Sequence, residues 1–362
     1  MNAKPELDSL IREARPLRRQ DRSTTVVEIV QDLGLLIVIA IGATVLGVLS
    51  PVFLSRLNIE NLLFSSTIIA VMAIGQSFVI LVAGIDLSVG AVLAVSSVLC
   101  VGLVNDFGVP VLLASMTSLA VGALIGLING LNVTLTKIPA LIATLAMLTI
   151  ARGLAFIYSG GQNIAPVPNF FVEAQATRLF GVPVIILFTL ALGALAHFIL
   201  SKTRFGRAIY ATGGNSVAAR LAGIRTNRVI VAAYVISGFL AALGGLMITA
   251  RLEAGAATAG QGAELTVISA VVIGGVSLFG GEGKVAGVLL GVLLLGLVQN
   301  AINLLNVPPN YDYVVSGLVI AIAAALDVYR RSYLEAGLRR RANAPNPERA
   351  KGRRPSPPGG KP

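Results

Sequence analysis

The 362-residue sequence is 55% hydrophobic and only 12% charged, against about a quarter charged residues in an ordinary soluble domain, so water is not its main solvent. One cysteine (Cys100) and one histidine (His197) exclude a disulfide framework or a Cys/His zinc site within one chain. The net charge of +11 matters less than its distribution, which is segregated between apolar runs.

The basic head, 1–32, carries Lys4, Arg12, Arg15, Arg18, Arg19 and Arg22. No small-residue cleavage site closes a short apolar segment after it, so the first run reads as a retained helix. Apolar runs approaching the roughly 20 residues that span a bilayer fall at 33–54, 61–83, 88–105, 110–133, 139–158, 183–200, 229–250, 265–280, 285–305 and 312–328. The expected fold is an all-α polytopic transmembrane bundle of about ten helices. Turn chemistry marks the breaks: Ser50-Pro51, Gly84 to Gly90, Gly108-Val109-Pro110, Ile138-Pro139, Gly160-Gly161 to Pro183, Gly280 to Gly283, and Pro308-Pro309.

Cytoplasmic loops concentrate Lys and Arg, which tests this count independently. The head, the loop 201–228 with Lys202, Arg204, Arg207, Arg220, Arg225 and Arg228, and the tail with ten basic residues are the richest segments. They share a side only when an even number of helices separates them, and six and four do. Both termini are therefore expected in the cytoplasm, with Arg56, Arg178 and Arg251 outside. The expected domain organisation is a cytoplasmic head 1–32, a transmembrane domain 33–328, and a basic, Pro-rich tail 329–362 expected to be disordered and held near anionic headgroups. Membrane lipid, and no nucleic acid, is its expected partner.

The most informative short segment is Gly84-Ile85-Asp86-Leu87-Ser88-Val89-Gly90, a charged, glycine-bracketed break between two apolar runs. Asp86 fits a helix N-cap; the same break fits a discontinuous helix lining a translocation path, and both can hold. Gly122, Gly126 and Gly130, and later Gly283, Gly287 and Gly291, form four-residue stripes that let helix backbones approach. Arg152 and His197 are among the few ionisable residues inside spans and read as structural, Arg152 by snorkelling outward. An ion-coupled carrier would need more.

Within 201–228, which holds no Asp or Glu, Asn215 or Ser216 can cap a short helix through Val217, Ala218, Ala219, Arg220 and Leu221, and Gly223 can end it. Topology alone requires the charge of this loop but not a capped, partly apolar helix, so the loop also reads as a docking element. The spacing of Gly84, Leu87 and Gly90 recurs at Gly275, Leu278 and Gly281, a hint of an internal repeat. Nearby, Gly280-Gly281-Glu282-Gly283-Lys284-Val285 fails the P-loop pattern: Leu278 stands where its first Gly belongs and Val285 replaces Ser/Thr. Any ATP hydrolysis must come from another subunit.

GIDLSVG at 84–90, TRFGRAIYATGGNSVAARLAGI at 203–224 and AVVIGGVSLFGGEGKVAGVLLG at 270–291 together resemble the ribose-type permeases of sugar ABC importers, over nearly all of 33–331. The resemblance implies a non-enzymatic transport subunit in the bacterial inner membrane, a homodimer of permeases, ABC ATPase subunits that use ATP and Mg, and a periplasmic sugar-binding protein. No cofactor or metal is expected on this chain. It implies that Asn215, Val217, Ala218, Ala219, Arg220, Leu221 and Gly223 couple to the ATPase, with Ala218-Ala219 and Gly223 matching the family's AA-x-x-x-G pattern. Asp86, Ser88 and Asn300 are the substrate-path candidates, and Arg56, Arg178 and Arg251 the candidates for docking the binding protein. Ala83, Ala263 and Ala301 depart from the residues usual in the family.

A neutral sugar, such as a ribose-like pentose, another monosaccharide or a polyol, fits a path with hydroxyls and amides but few fixed charges. With no Trp in the chain, ring stacking falls to the binding protein. A branched-chain amino-acid importer permease is the nearest alternative, and an ion-coupled secondary transporter a further one. A membrane enzyme would need a nucleophile or metal constellation, which the sequence lacks.

Overall fold

The computed structural model describes residues 21–308 and, within 309–325, positions 311, 314, 317, 318, 321, 322 and 325. Twelve helices follow in order: α1 Asp21–Leu49, α2 Arg56–Leu81, α3 Val89–Phe107, α4 Val111–Leu131 with a π turn at Asn132–Thr136, α5 Ala140–Ser159, α6 Asn169–Ala176, α7 Val184–Lys202, α8 Arg204–Gly214, α9 Ser216–Leu221, α10 Thr226–Leu252, α11 Ala263–Ile273 and α12 Val285–Leu304. Seven of them (α2, α3, α4 with its π turn, α5, α7, α10 and α12) are long and apolar enough to cross a membrane. The only strands among the described residues are a small antiparallel pair, β1 Arg178–Leu179 and β2 Val182–Pro183.

Local sequence sets the helix ends. Pro110, Pro139, Pro168 and Pro183 stand immediately before α4, α5, α6 and α7, where a missing N–H is harmless and the fixed φ suits a helix start. Ser55 caps α2 by accepting from the Asn58 N–H at 3.3 Å. The first helix ends at Leu49, just before Ser50-Pro51, so residues 51–54 turn instead of continuing the expected span, and its backbone begins at Asp21, inside the expected head.

Three expectations need correction or lie elsewhere. The span expected at 265–280 is helical only from Ala263 to Ile273, eleven residues, because Gly274 and Gly275 stop it. The loop 201–228 contains a second helix, α8, beside the expected short one. The helix expected at 312–328 falls mostly outside the described residues, as do most of the head and all of the tail 329–362.

The bundle has a protein core and a lipid-facing shell. In their most apolar stretches α2, α3 and α10 are 78%, 72% and 61% buried, whereas α5 and α7 are 28% buried. Leu112, Leu124, Leu141, Leu145 and Ile157 are exposed on the outer helices, where lipid tails solvate them as well as a core would. Backbones meet closely at the centre: a Cβ at Gly238 would strike the Gly122 carbonyl, and one at Gly126 the Tyr234 carbonyl, which packs α10 on α4. The stripe Gly287 and Gly291 does the same for α12 on α11, against Gly274 and the Ala270 carbonyl.

Candidate functional site

Two breaks in the helical pattern lie side by side in the core. In the first, the chain leaves α2 at Leu81, turns through Ala83 (φ +61°) and folds back so that Asp86 lies beside Gln76. With the Gln76 amide turned to match, its Nε2 donates to the Asp86 carbonyl (3.2 Å) and its Oε1 accepts from the Asp86 N–H (3.1 Å). The Ile85 carbonyl accepts from Tyr234 Oη at 3.3 Å and Thr144 Oγ1 at 3.2 Å. Side chains thus replace the bonds that the interrupted helix no longer supplies, as non-helical backbone inside a membrane protein requires.

The Asp86 carboxylate is fully buried. One oxygen accepts from the Ser88 N–H (2.9 Å) and Ser88 Oγ (2.6 Å), the other from Ser237 Oγ of α10 (3.0 Å). Asn129 Nδ2 of α4 donates to Ser88 Oγ at 2.9 Å. The Ser88 hydroxyl therefore accepts from α4 and donates to Asp86, so the cluster joins α3, α4 and α10. Asp86 grips the residue before α3 and no N–H inside that helix, a tighter Asx turn than the N-cap read from sequence. Ser237 is the twelfth residue of α10, about 16 Å along it at 1.5 Å per residue. The cluster therefore sits at membrane depth.

The second break is 253–262. After α10 the chain runs back along α3 without helix, Gly255 against the Ser97 carbonyl and Val101, and Gly260 against Gly90 and Leu93, before α11 begins at Ala263. A Cβ at Gly90 would strike the Gly260 carbonyl and the Glu264 carboxylate, so the starts of α3 and α11 meet. Gly255 forms a two-way bridge with Ile164, at 2.8 and 2.9 Å. Arg152 of α5 donates to the carbonyls of Ala257 and Ala259, both at 2.7 Å. It is spent on this segment inside the protein instead of snorkelling outward. Segment and half-length helix together stand where a full helix was expected at 265–280.

The predicted site residues divide into separate places. Asp86 and Ser88 share the cluster. Asn300 does not: it exchanges two hydrogen bonds with Asn58, at 2.7 and 3.1 Å, where the end of α12 meets the start of α2. Arg56 and Arg178 converge on Glu60, each 2.8 Å from the same oxygen, and the carboxylate raises the Arg178 guanidinium above its ordinary value. Arg251, at the end of α10, takes no part in that group. Sequence reasoning missed Glu60, Gln76, Asn129, Thr144, Tyr234 and Ser237. The available signal was a lone polar side chain within an apolar run.

At the opposite end of the bundle from Glu60, Asn215 Oδ1 caps α9 by accepting from the N–H groups of Val217 (3.1 Å) and Ala218 (2.9 Å). Gly223 (φ +84°) closes it in a Schellman motif, its N–H on the Arg220 carbonyl and the Ile224 N–H on the Ala219 carbonyl. Ala219 faces the protein, while Val217 and Leu221 are 59% and 86% exposed, and Arg220 turns back to the Ser216 carbonyl (3.3 Å).

Residues 58–324 match a family described as the branched-chain amino acid transport system permease component. The ribose import permease of Bacillus subtilis is 43% identical over 301 residues, 83% of this chain and 93% of that protein. That of Haemophilus influenzae is 40% identical over 82% of this chain and 92% of the relative. The L-arabinose ABC transporter permease of Azospirillum brasilense is 37% identical over 84% and 90%. No solved structure matches the chain. With seven membrane-length helices and these relatives, the chain is a multi-pass membrane protein that belongs to this permease family, among the ribose-type sugar permeases of ABC transporters.

Proposed function

We propose that this chain is the membrane-spanning subunit of an ATP-driven importer in the bacterial inner membrane. It carries a neutral sugar delivered by a periplasmic binding protein, and a separate ATPase subunit hydrolyses ATP with Mg. The relatives named for ribose and L-arabinose support a pentose or similar monosaccharide. The observation that carries the ATP-driven reading is α9: capped at both ends, anchored by Ala219, and presenting bare Val217 and Leu221. A helix of six residues is marginal alone in water, and an apolar pair on it suits a groove on a partner. In this reading Asn215, Val217, Ala218, Ala219, Arg220, Leu221 and Gly223 form the coupling element.

The rest of the assembly follows from the same reading. Two copies pair as a homodimer, each with about ten spans, cytoplasmic ends and the expected head and tail. Asp86 and Ser88 shape the inner part of the path, and Asn300 stands near its mouth. Arg56, Arg178 and Arg251 contribute to the rim on which the binding protein docks. The family's description favours a second reading, a branched-chain amino acid as cargo, which uptake of labelled leucine against labelled ribose separates.

The experiment is Leu221→Asp in the complex with its ATPase and binding protein. An unpaired charge in an apolar groove is costly, so ATPase copurification or binding-protein-stimulated hydrolysis should fall together with sugar uptake. Normal assembly, stimulation and uptake would remove α9 as the coupling element.

A further inference from the structure

Resting on the reading of this chain as a sugar permease, we propose that Thr258 and Gln261 line a water-filled stretch of the translocation path and contact the hydroxyl groups of a neutral sugar. The non-helical segment 254–262 runs alongside the first three turns of α3, from Val101 to Gly90, and so lies at membrane depth. Most of it is sealed: Ala254, Gly255, Ala256, Ala257 and Ala259 are buried. Ser97 Oγ accepts the Ala256 N–H at 3.3 Å, and Arg152 holds the two carbonyls already described.

One side is not sealed. Thr258 and Gln261 are exposed, and neither side chain makes a hydrogen bond among the described residues. The N–H groups of Thr258 and Gly260 and the Gln261 carbonyl likewise have no partner among those residues. Lipid cannot satisfy any of these groups, and irregular backbone at this depth persists only against protein or water. The set on the open side is two N–H donors, one carbonyl, a hydroxyl and an amide. It mixes donors and acceptors as a sugar's hydroxyls do, and it holds no fixed charge.

The test places single cysteines at Thr258 and Gln261 in a Cys100→Ala background, in proteoliposomes of the full complex with its ATPase and binding protein. A membrane-impermeant, water-soluble thiol reagent is applied to both faces, with Leu145→Cys on the lipid-facing side of α5 as reference. The thiolate is the reacting form and needs water, so both positions should label about tenfold or more faster than the reference, and ribose with ATP present should slow that labelling. Gln261→Leu should lower ribose uptake several-fold while ATPase copurification stays normal. Labelling as slow as the reference would overturn the proposal. So would efficient crosslinking of the introduced cysteines to their counterparts in a second copy, since a protomer contact would then cover the face. The permease reading itself fails separately, if the unmodified complex shows no binding-protein-dependent, ATP-driven sugar uptake.

Discussion

Replacing Asp86 by asparagine and by leucine separates its acceptor geometry from its charge. The carboxylate accepts three hydrogen bonds, from the Ser88 N–H, Ser88 Oγ and Ser237 Oγ, and no water reaches it. Leucine removes all three and strands the Ser88 N–H and the Ser237 hydroxyl in a dry site. At about 1–3 kcal/mol for each of these two buried groups left unpaired, the loss is about 2–6 kcal/mol, a large part of a typical folding margin of roughly 5–15 kcal/mol. Asparagine keeps one oxygen for Ser88, and its amide can donate to a rotated Ser237 hydroxyl, so its cost is about 1 kcal/mol. The chain supplies its own reporter, since Cys100 is its one cysteine and is fully buried: a thiol-reactive dye stays dark until unfolding exposes it. The leucine variant should melt well below the asparagine variant, and asparagine slightly below the parent. Equal melting of the leucine variant and the parent would refute the claim that this cluster holds the break in shape.

At Gly126, valine drives a side chain into the Tyr234 carbonyl where α4 meets α10, an overpacking of about 1–3 kcal/mol that the same dye should register. Gly153→Ala, in open space, should not move the melt. Glu60→Gln releases Arg56 and Arg178 from their shared carboxylate and should raise the association rate of the binding protein severalfold at low salt, with the difference vanishing at high salt; no change at low salt would remove these arginines from the docking rim. Asn215→Ala should weaken α9 by about 1 kcal/mol, read as about fivefold faster hydrogen exchange at the Val217 and Ala218 amides. Gly213→Ala places a Cβ against the Leu81 carbonyl and the Gly281 nitrogen, and should leave ATP hydrolysis in place while sugar uptake falls; undiminished uptake would show that this junction transmits nothing.

Helices and most of their ends were legible because the signals are local. A run of apolar residues reports a span by its own length, and Pro110, Pro139 and Pro183 punctuate the chain wherever they occur. The cap at Asn215 and the left-handed close at Gly223 were legible for the same reason, being written within nine residues. The cluster around Asp86 was not. Its partners lie 41 to 151 positions away, from the Asn129 to Ser88 bond to the Ser237 to Asp86 bond, and a serine in an apolar helix looks the same whether or not it meets a carboxylate. The helix α8 was not expected from the sequence, and Gly206, Gly213 and Gly214 within it are poor helix formers. Its buried side is in fact Gly206, Ile209 and Thr212, at a spacing of three, and at Gly206 and Gly213 other backbone comes too close for a Cβ.

That closeness ties together features that the sequence presents separately. The Leu81 carbonyl, at the end of α2, accepts the Gly281 N–H at 2.9 Å, and Gly213 of α8 packs against both with no room for a Cβ. Gly280 lies on Ala83 in the same way, and Tyr210 Oη donates to the Gly283 carbonyl at 2.8 Å. The turn that leads into the glycine-spaced segment 84–90 therefore touches the end of the other, 275–281, and α8 rests on both. Leu81 begins the five-residue return that places Asp86 beside Gln76, and the 274–284 turn connects α11, whose start meets α3 at Gly90, to α12. Only Asn215 separates α9 from α8, and α8 meets both helix breaks through backbone contacts that have no side chain to yield. Under the proposed coupling role, a displacement of α9 would reach both breaks by this route. Hydrogen-bonded backbone packed against glycine is stiffer than a side-chain interface of the same area, because no rotamer can absorb the motion. The glycines at 213, 280 and 281 thus serve close backbone contact as well as turn geometry, and α8 and the two helix breaks pack as one unit.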